Sequence, residues 1–389
     1  IGLHGRRRDL DRLGSLKITE YPYSMREPAS QTGDTLPTNQ SQESGTDLMN
    51  KAIGLAIYCL AVFVASNHVG AGEIRKEKHA ESGWSVYTLQ QENTVVKVLP
   101  NAGFNAFSFQ VEGREFFHQA DRLTNVAGVR CGNPILYPTP NRVRGGQFSF
   151  QGKNYRLKPS GKGNHIHGLV NRLPWRVVST TSDDQSATIS AMVEFKPGTD
   201  RFRLFPFPHK FQVSISVESG RVRWTYLVDN SNGDSDVPFG VGFHPYWKYQ
   251  DDRKATRLRI PASHLMESTK MLPTGNLLKL DNHRLDARQG VSLAGFVADD
   301  VFFGMRPEAP ATIESTRSKV RVRLQASKEF THIVAWTPDR PFFSVENQTC
   351  STDAHNLAAS GKNDVAHLQI CPAGKTMTGF VEYVVEPVE

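Results

Sequence analysis

The sequence has little cysteine and no cysteine pattern that indicates a metal. Only four of its 389 residues are cysteine, and no two have the CxxC spacing typical of zinc sites and redox motifs. The three that follow residue 72, Cys131, Cys350 and Cys371, allow at most one internal disulfide, and we expect them to be simply packed. We therefore expect no metal and no cofactor.

From residue 72 onward the sequence has no long run of basic residues, although the formal net charge of the chain is +7. Basic side chains occur instead in scattered pairs such as Arg201 with Arg203 and Arg221 with Arg223. This spacing of two places both members of a pair on one face of a strand. It favours a solvated sheet surface over a nucleic-acid groove. We therefore expect no nucleic-acid partner.

The first 71 residues differ in composition from the rest. Residues 1–48 are rich in Arg, Ser, Thr, Gln and Gly and lack apolar periodicity, so we expect a disordered or untranslated upstream segment. Residues 49–71 combine a short basic start, an apolar run over 52–65 and small residues before Gly72, which is typical of a signal peptide. The run is shorter than the about 20 residues of a membrane span. We expect cleavage before Gly72, no stable membrane span afterwards, and an exported protein, periplasmic or extracellular.

From residue 72 onward, apolar and polar residues alternate with a period of two. Alternation among β-branched and aromatic residues predicts strands. The segments are 85–89, 94–99, 104–111, 187–195, 210–217, 221–228, 319–324, 332–336 and 376–385. Turn sequences such as Glu112-Gly113 and Gln151-Gly152 separate them, and no convincing long helix is present. The sequence therefore predicts one large, all-β, antiparallel domain over 72–389, with two packed sheets.

Three segments carry side chains suited to proton transfer. They are His165 to Gly168, Gly240 to Trp247 with His244 inside it, and Ser344 to Thr349 with Glu346 inside it. A histidine with a pKa of about 6.5 can donate or accept a proton near neutral pH. Tyr246 and Trp247 offer the flat apolar faces that often line ligand pockets. We expect these residues between strands, at one mouth of the β scaffold.

Six short motifs occur in a fixed order along residues 84–389. They are Asn141-Arg142, Asn164 to Gly168, Gly242 to Trp247, Asp299 to Phe302, Glu346 to Cys350 and Pro372 to Gly374. The ordered set resembles the aldose 1-epimerase (galactose mutarotase) family, in particular its Asn-x-x-His-Gly, Gly-x-His-Pro-Tyr-Phe and Glu-x-x-Thr segments. Trp247 stands where the family usually has Phe, and Asn347-Gln348 stands where Pro-Trp is common.

The resemblance implies a β-supersandwich and a metal-free isomerase that interconverts the α and β anomers of a free aldose of the glucose or galactose type. By position in the motifs, Glu346 is the implied general base for the anomeric hydroxyl, and His244 is the implied general acid for the ring oxygen. The implied sugar-binding residues are Asn141, Arg142, His167 and Asp299. Asp299 and Asp300 are adjacent, so alternation sends them to opposite faces of a strand, and we expect Asp299 to face the pocket.

Two other functions fit part of the pattern. A glycosidase would use Glu346 and Asp299 as two carboxylates about 5–10 Å apart, but the histidines would then be unexplained. A catalytically silent carbohydrate-binding module would need no acid and base pair. His165 and His167 have a His-x-His spacing that suits a metal, but no third ligand follows at ligand spacing.

Overall fold

The computed structural model describes residues 71–160 and 163–389. The predicted upstream segment and, apart from Ala71, the predicted signal peptide lie outside this range. Within it, no helix is long and apolar enough to cross a membrane. The α-helices are α1 (Asp200–Leu204), α2 (Ala354–Ala359) and α3 (Asn363–Ala366), and single 3₁₀ turns cover Pro100–Ala102, Leu123–Asn125 and Arg144–Gly146.

Strands make up most of the described residues. They are β1 (Glu73–Lys78), β2 (Ser85–Gln91), β3 (Thr94–Leu99), β4 (Asn105–Val111), β5 (Arg114–Glu115), β6 (Ile135–Leu136), β7 (Arg142–Val143), β8 (Gln147–Phe150), β9 (Lys153–Arg156), β10 (His165–Ile166), β11 (Arg176–Ser182), β12 (Ala187–Phe195), β13 (His209–Glu218), β14 (Arg221–Asp229), β15 (Val237–Phe239), β16 (Gly242–Phe243), β17 (Tyr246–Lys248), β18 (Thr256–Arg259), β19 (His264–Thr269), β20 (Leu272–Lys279), β21 (Val291–Ser292), β22 (Asp299–Phe303), β23 (Ala311–Ser315), β24 (Val320–Ala326), β25 (His332–Trp336), β26 (Phe342–Gln348), β27 (Gln369–Cys371) and β28 (Thr376–Pro387). All nine segments predicted from alternation correspond to strands, and two of them, 104–111 and 319–324, start one residue before the observed strand.

Three antiparallel sheets carry the fold. A five-stranded sheet runs in the order β1-β2-β3-β4-β5, and a nine-stranded sheet in the order β11-β12-β13-β14-β28-β24-β23-β18-β21. The third sheet has the order β20-β19-β22-β25-β26-β16-β6, with β17 also paired to β26. This arrangement confirms the predicted all-β, antiparallel class.

Alternation builds the core of the nine-stranded sheet. In β13 every second residue is buried, and Val213, Ile215 and Val217 are fully enclosed. Burying each such aliphatic side chain stabilises the fold by roughly 1.5–3 kcal/mol. The turns behave as predicted, because Glu112 and Gly113 between β4 and β5 both have positive φ, as a tight type I′ hairpin requires.

One part of the charge analysis was wrong. Arg201 and Arg203 lie in α1 and not on a strand, because Thr199 caps the segment by accepting a hydrogen bond from the backbone N–H of Phe202. A threonine at this position satisfies an N–H that a short helix otherwise leaves unpaired. Arg221 lies in β14 as predicted.

The cysteines of the described residues are packed as expected. Cys131, Cys350 and Cys371 are all buried, and none of them forms a disulfide. Burial raises the pKa of the Cys131 thiol to about 11. These thiols are therefore protonated at neutral pH and serve as small apolar side chains.

Candidate active site

A cavity of about 200 Å³ opens beside β26. This is smaller than the roughly 300–1,000 Å³ of pockets for drug-sized ligands, so it suits a small, polar molecule. All six residues proposed from the motifs line it. The lining residues are Val129, Asn141, Arg142, His167, His244, Tyr246, Asp299, Val334, Trp336 and Glu346.

The register of the β26 sheet brings the central residues together. Ser344 and Glu346 share one face of β26 because side chains alternate along a strand. The antiparallel segment that contains β17 places Tyr246 opposite Ser344, so two residues further along His244 lies opposite Glu346. On the other side of β26, Trp336 is the partner of Ser344. Two adjacent rows of cross-strand neighbours therefore supply much of the cavity wall.

The prediction that the site residues lie between strands is wrong for Glu346. It lies within β26, where Val334 of β25 is its direct partner. A position in the middle of a sheet restricts the backbone on both sides. The carboxyl group is therefore held by the scaffold rather than by a loop.

Asn141, Arg142 and His167 are held by a separate two-stranded ladder of β7 and β10. The backbone N–H of His167 donates to the carbonyl of Asn141 at 2.8 Å. Both residues have positive φ, 56° for Asn141 and 66° for His167, which is uncommon for residues with a side chain and often marks functional sites. A Cβ atom on the following Gly168 would lie 2.2 Å from the carbonyl oxygen of Tyr137. The chain therefore requires glycine at that position.

His244 and Glu346 form a buried pair whose polar atoms are close together. The Nε2 atom of His244 lies 3.2 Å from Oε1 of Glu346, and the two residues are 4% and 2% exposed. Gln348 donates from its Nε2 to the other carboxyl oxygen at 2.9 Å. The second ring nitrogen, Nδ1 of His244, lies 3.1 Å from Oγ of Ser344. Every polar atom of the pair therefore has a neighbour in the protein.

Burial governs the charge of this pair. It raises the pKa of Glu346 to about 8, and the nearby carboxylate of Asp299 acts in the same direction, while Gln348 and Arg142 oppose it. Burial also lowers the pKa of His244 to about 3. Both shifts favour the uncharged forms. At neutral pH the imidazole is therefore neutral and the carboxyl group keeps its proton. This carboxyl proton is the one that the pair can share.

His167 faces the same space as a neutral imidazole. Burial lowers its pKa well below the ordinary value, and the proximity of His244 and Arg142 adds to this. The rings of His167 and His244 meet edge to face, with 5.3 Å between their centroids. Arg142 donates from Nη1 to the side-chain oxygen of Asn141 at 3.0 Å. At neutral pH the site therefore presents a neutral imidazole and a positively charged guanidinium as hydrogen-bonding groups.

The aromatic wall differs from the predicted one. Tyr246 lines the cavity and stacks on the ring of His244, with 4.8 Å between the centroids. Trp247 does not reach it, because the next residue along a strand points to the opposite face, where Trp247 packs against Phe117. The second aromatic residue of the cavity is Trp336, which the motifs did not indicate. Its only sequence signal is its place at the end of the predicted strand 332–336.

Asp299 and Asp300 divide between the two faces of β22 as alternation requires. Asp299 lies opposite Trp336 in the sheet and lines the cavity, whereas Asp300 is not among the lining residues. His165 is also turned away from the cavity, and its Nδ1 lies 2.8 Å from the carbonyl oxygen of Lys158. Among the residues that the structure describes, no three His, Cys, Asp or Glu side chains are grouped to hold a metal ion.

Comparison with known proteins agrees with this architecture. The family model of aldose 1-epimerases matches residues 85–384. The uncharacterized protein YihR of Escherichia coli (strain K12) is 24% identical over 238 residues, which are 59% of this chain and 75% of YihR.

Two solved structures share the fold. A galactose mutarotase-like protein from Clostridium acetobutylicum superposes with a TM-score of 0.73 at 19% identity, covering 82% of this chain and 99% of that one. Galactose 1-epimerase from Lactobacillus acidophilus NCFM superposes with a TM-score of 0.66 at 15% identity, again covering 82% and 99%. At such identities the likeness to these structures shows a common fold.

Proposed function

We propose that this chain, which belongs to the aldose 1-epimerase family, interconverts the α and β anomers of a free aldose by acid and base catalysis. The observation that carries the proposal is the buried pair of His244 and Glu346, with 3.2 Å between Nε2 and Oε1. A binding module has no need of such a pair, because burying two ionisable groups costs free energy without improving affinity.

The proposed reaction moves one proton off the sugar and one proton onto it. Glu346 accepts the proton of the anomeric hydroxyl, and His244 donates a proton from Nε2 to the ring oxygen, so that the bond between C1 and the ring oxygen breaks. The open aldehyde rotates about C1–C2, and the reverse transfers close the ring as the other anomer. The pair ends each turnover with the same single proton.

Sugar binding prepares the pair for this step. In the free protein, burial leaves the shared proton on Glu346, whose pKa is about 8. Sugar hydroxyls beside the carboxyl group supply hydrogen bonds that stabilise the carboxylate form, and the positive charge of Arg142 acts in the same direction. The proton then moves to Nε2 of His244, where the ring oxygen can receive it.

The remaining lining residues orient the sugar. Neutral His167 and the Arg142 guanidinium, which is already bonded to Asn141, are suited to ring hydroxyls. Asp299 at the exposed edge of the cavity is suited to accept hydrogen bonds from hydroxyls near C1 and C2. Trp336 offers an apolar face for the C–H side of the ring. A cavity of about 200 Å³ favours a monosaccharide of the glucose or galactose type.

Polarimetry on freshly dissolved α-D-glucose and α-D-galactose tests the activity. We expect the protein to bring the optical rotation of at least one sugar to equilibrium faster than buffer alone. Binding of the sugar without acceleration would indicate a silent binding module. Release of nitrophenol from nitrophenyl glycosides would indicate a glycosidase that uses Glu346 and Asp299.

We also propose that the protein is exported, on the basis of the signal-peptide pattern of residues 49–71. Mass spectrometry of the protein made by its source cell tests this. A mature N-terminus at Gly72 is the expected result, and an intact Met49 would contradict it.

A further inference from the structure

Ser344 is a buried residue of the site that does not line the cavity. It is 0% exposed and lies in β26, two residues before Glu346. Its Oγ atom is 3.1 Å from Nδ1 of His244 and donates to the backbone carbonyl oxygen of Pro245 at 2.8 Å. One small hydroxyl therefore sits behind the imidazole ring, on the side opposite the carboxyl group.

The chemistry of these neighbours decides where the protons lie. A carbonyl oxygen such as that of Pro245 only accepts hydrogen bonds, whereas a hydroxyl has one proton and two lone pairs. With its single proton directed to an oxygen, Ser344 presents a lone pair to His244. Nδ1 of the imidazole then carries a proton.

We propose that Ser344 is a positioning residue that holds His244 with its proton on Nδ1 and thereby reserves Nε2 for exchange with Glu346 and the sugar. The catalytic consequence rests on the proposed function. With Nδ1 protonated, Nε2 has a lone pair that accepts the shared proton from Glu346. In the other tautomer, with the proton on Nε2, the lone pair is on Nδ1 and faces Ser344. Nε2 then cannot accept the proton of Glu346.

The surroundings of His244 support a fixed ring orientation. Tyr246 stacks on one face at an interplanar angle of 11°, which limits rotation of the imidazole. The titratable groups that face His244 are Glu346, His167 and Tyr246, and burial raises the pKa of Tyr246 above the neutral range. Apart from Glu346, none of these neighbours supplies a charge at neutral pH that competes with Ser344 for the choice of tautomer.

Nitrogen NMR of the protein labelled with ¹⁵N-histidine tests the proposal without any sugar. The signals of His244 are identified by their loss in the His244→Asn variant. In the unmodified protein near neutral pH we expect Nδ1 to be of the protonated type and Nε2 to be of the unprotonated type, because the shared proton stays on Glu346 in the absence of sugar. In Ser344→Ala we expect a mixture, with the Nε2-protonated tautomer substantially populated.

The kinetic expectation separates positioning from general stability. A wrong histidine tautomer lowers kcat about 10⁴-fold in a serine protease triad. We expect a smaller loss for Ser344→Ala, about 10- to 100-fold in kcat, because part of the population keeps the correct tautomer, with KM changed less than about threefold. Ser190→Ala is the matched control, because it removes another buried serine hydroxyl, bonded to Ser214 in the nine-stranded sheet, and we expect no change in either readout.

Two results would overturn the proposal. One is an unchanged ¹⁵N pattern of His244 in Ser344→Ala, and the other is an unchanged kcat. Should the alanine variant not fold, Ser344→Cys keeps the side-chain volume with a much weaker acceptor, and the same shift in tautomer is expected. Absence of anomerisation by the unmodified protein would refute the proposed function, whereas the NMR comparison would still decide what Ser344 does.

Discussion

Replacing Glu346 with glutamine is expected to stabilise the protein in alkaline solution while it removes the proposed base. The carboxyl group is buried, and its pKa is about 8 instead of the ordinary 4.5. Glutamine has nearly the same shape. Its oxygen can accept the hydrogen bond from Gln348, and its NH₂ group can donate to Nε2 of His244. The variant therefore keeps the hydrogen bonds and loses only the ionisable group.

The expected magnitude follows from the two pKa shifts. A carboxyl group whose folded-state pKa is raised contributes stability below pH 4.5, which is lost as the pH rises through about 8. This interval of about 3.5 pH units corresponds to about 5 kcal/mol at ~1.36 kcal/mol per unit. His244 acts in the opposite direction, because its pKa is lowered from 6.5 to about 3, so its contribution grows as the pH rises to 6.5.

Between pH 4.5 and 6.5 the two contributions to the free energy of unfolding cancel, because the contribution of Glu346 falls with rising pH while that of His244 grows by the same amount per pH unit. Above pH 6.5 the Glu346 contribution continues alone until about pH 8. The unmodified protein should therefore lose about 2 kcal/mol from this pair over that range. The Glu346→Gln variant should not show this loss.

Urea denaturation near pH 6.5 and near pH 9 measures the effect. The difference in free energy of unfolding between the variant and the unmodified protein should grow by about 2 kcal/mol in favour of the variant. Glu382→Gln is a control of opposite sign, because Glu382 is also buried but forms an ion pair with Arg223 at 2.8 Å, so its loss should destabilise the protein. Parallel curves for the unmodified protein and Glu346→Gln would refute the reasoning.

Three further predictions concern catalysis, sugar binding and the stability of the fold. The anomerisation rate should fall as the pH rises through about 8, because Glu346 and His244 then lose their shared proton, and a pH–rate profile that still rises above this value would contradict it. Trp336→Ala should weaken sugar binding about 2- to 10-fold, because an aromatic face typically contributes about 0.5–1.5 kcal/mol, and calorimetric titration measures this. Asp353 is buried and accepts hydrogen bonds from the backbone N–H and Nε of Arg144 at 3.0 and 3.2 Å. Asp353→Ala should therefore lower the free energy of unfolding by about 1–3 kcal/mol, and thermal denaturation that matches the unmodified protein would contradict this.

The strands were predictable because their signal is local. Alternation of β-branched and aromatic residues identified segments such as 187–195 and 332–336 with their observed bounds. The prediction that Arg201 and Arg203 lie on a strand was wrong, because a capping threonine stabilises a short helix of five residues there. Local side-chain hydrogen bonds of this kind compete with the wider pattern.

The site was only partly predictable because cross-strand register is not local. Motif order was enough to identify His244 and Glu346, and both line the cavity. Trp336 was missed and Trp247 was wrongly placed in the cavity wall. Which of them faces the cavity depends on which residue of β25 or β17 lies opposite Ser344, and no single segment of the sequence contains that information.

The most direct test of the central claim compares turnover with binding in Glu346→Gln. We expect kcat for anomerisation of the preferred aldose to fall about 10²–10⁴-fold, while the Kd for the sugar measured by calorimetry changes little and Ser190→Ala behaves as the unmodified protein. This result would assign Glu346 to proton transfer. Unchanged turnover in Glu346→Gln would contradict the account, because a side chain that cannot accept the proton would then suffice.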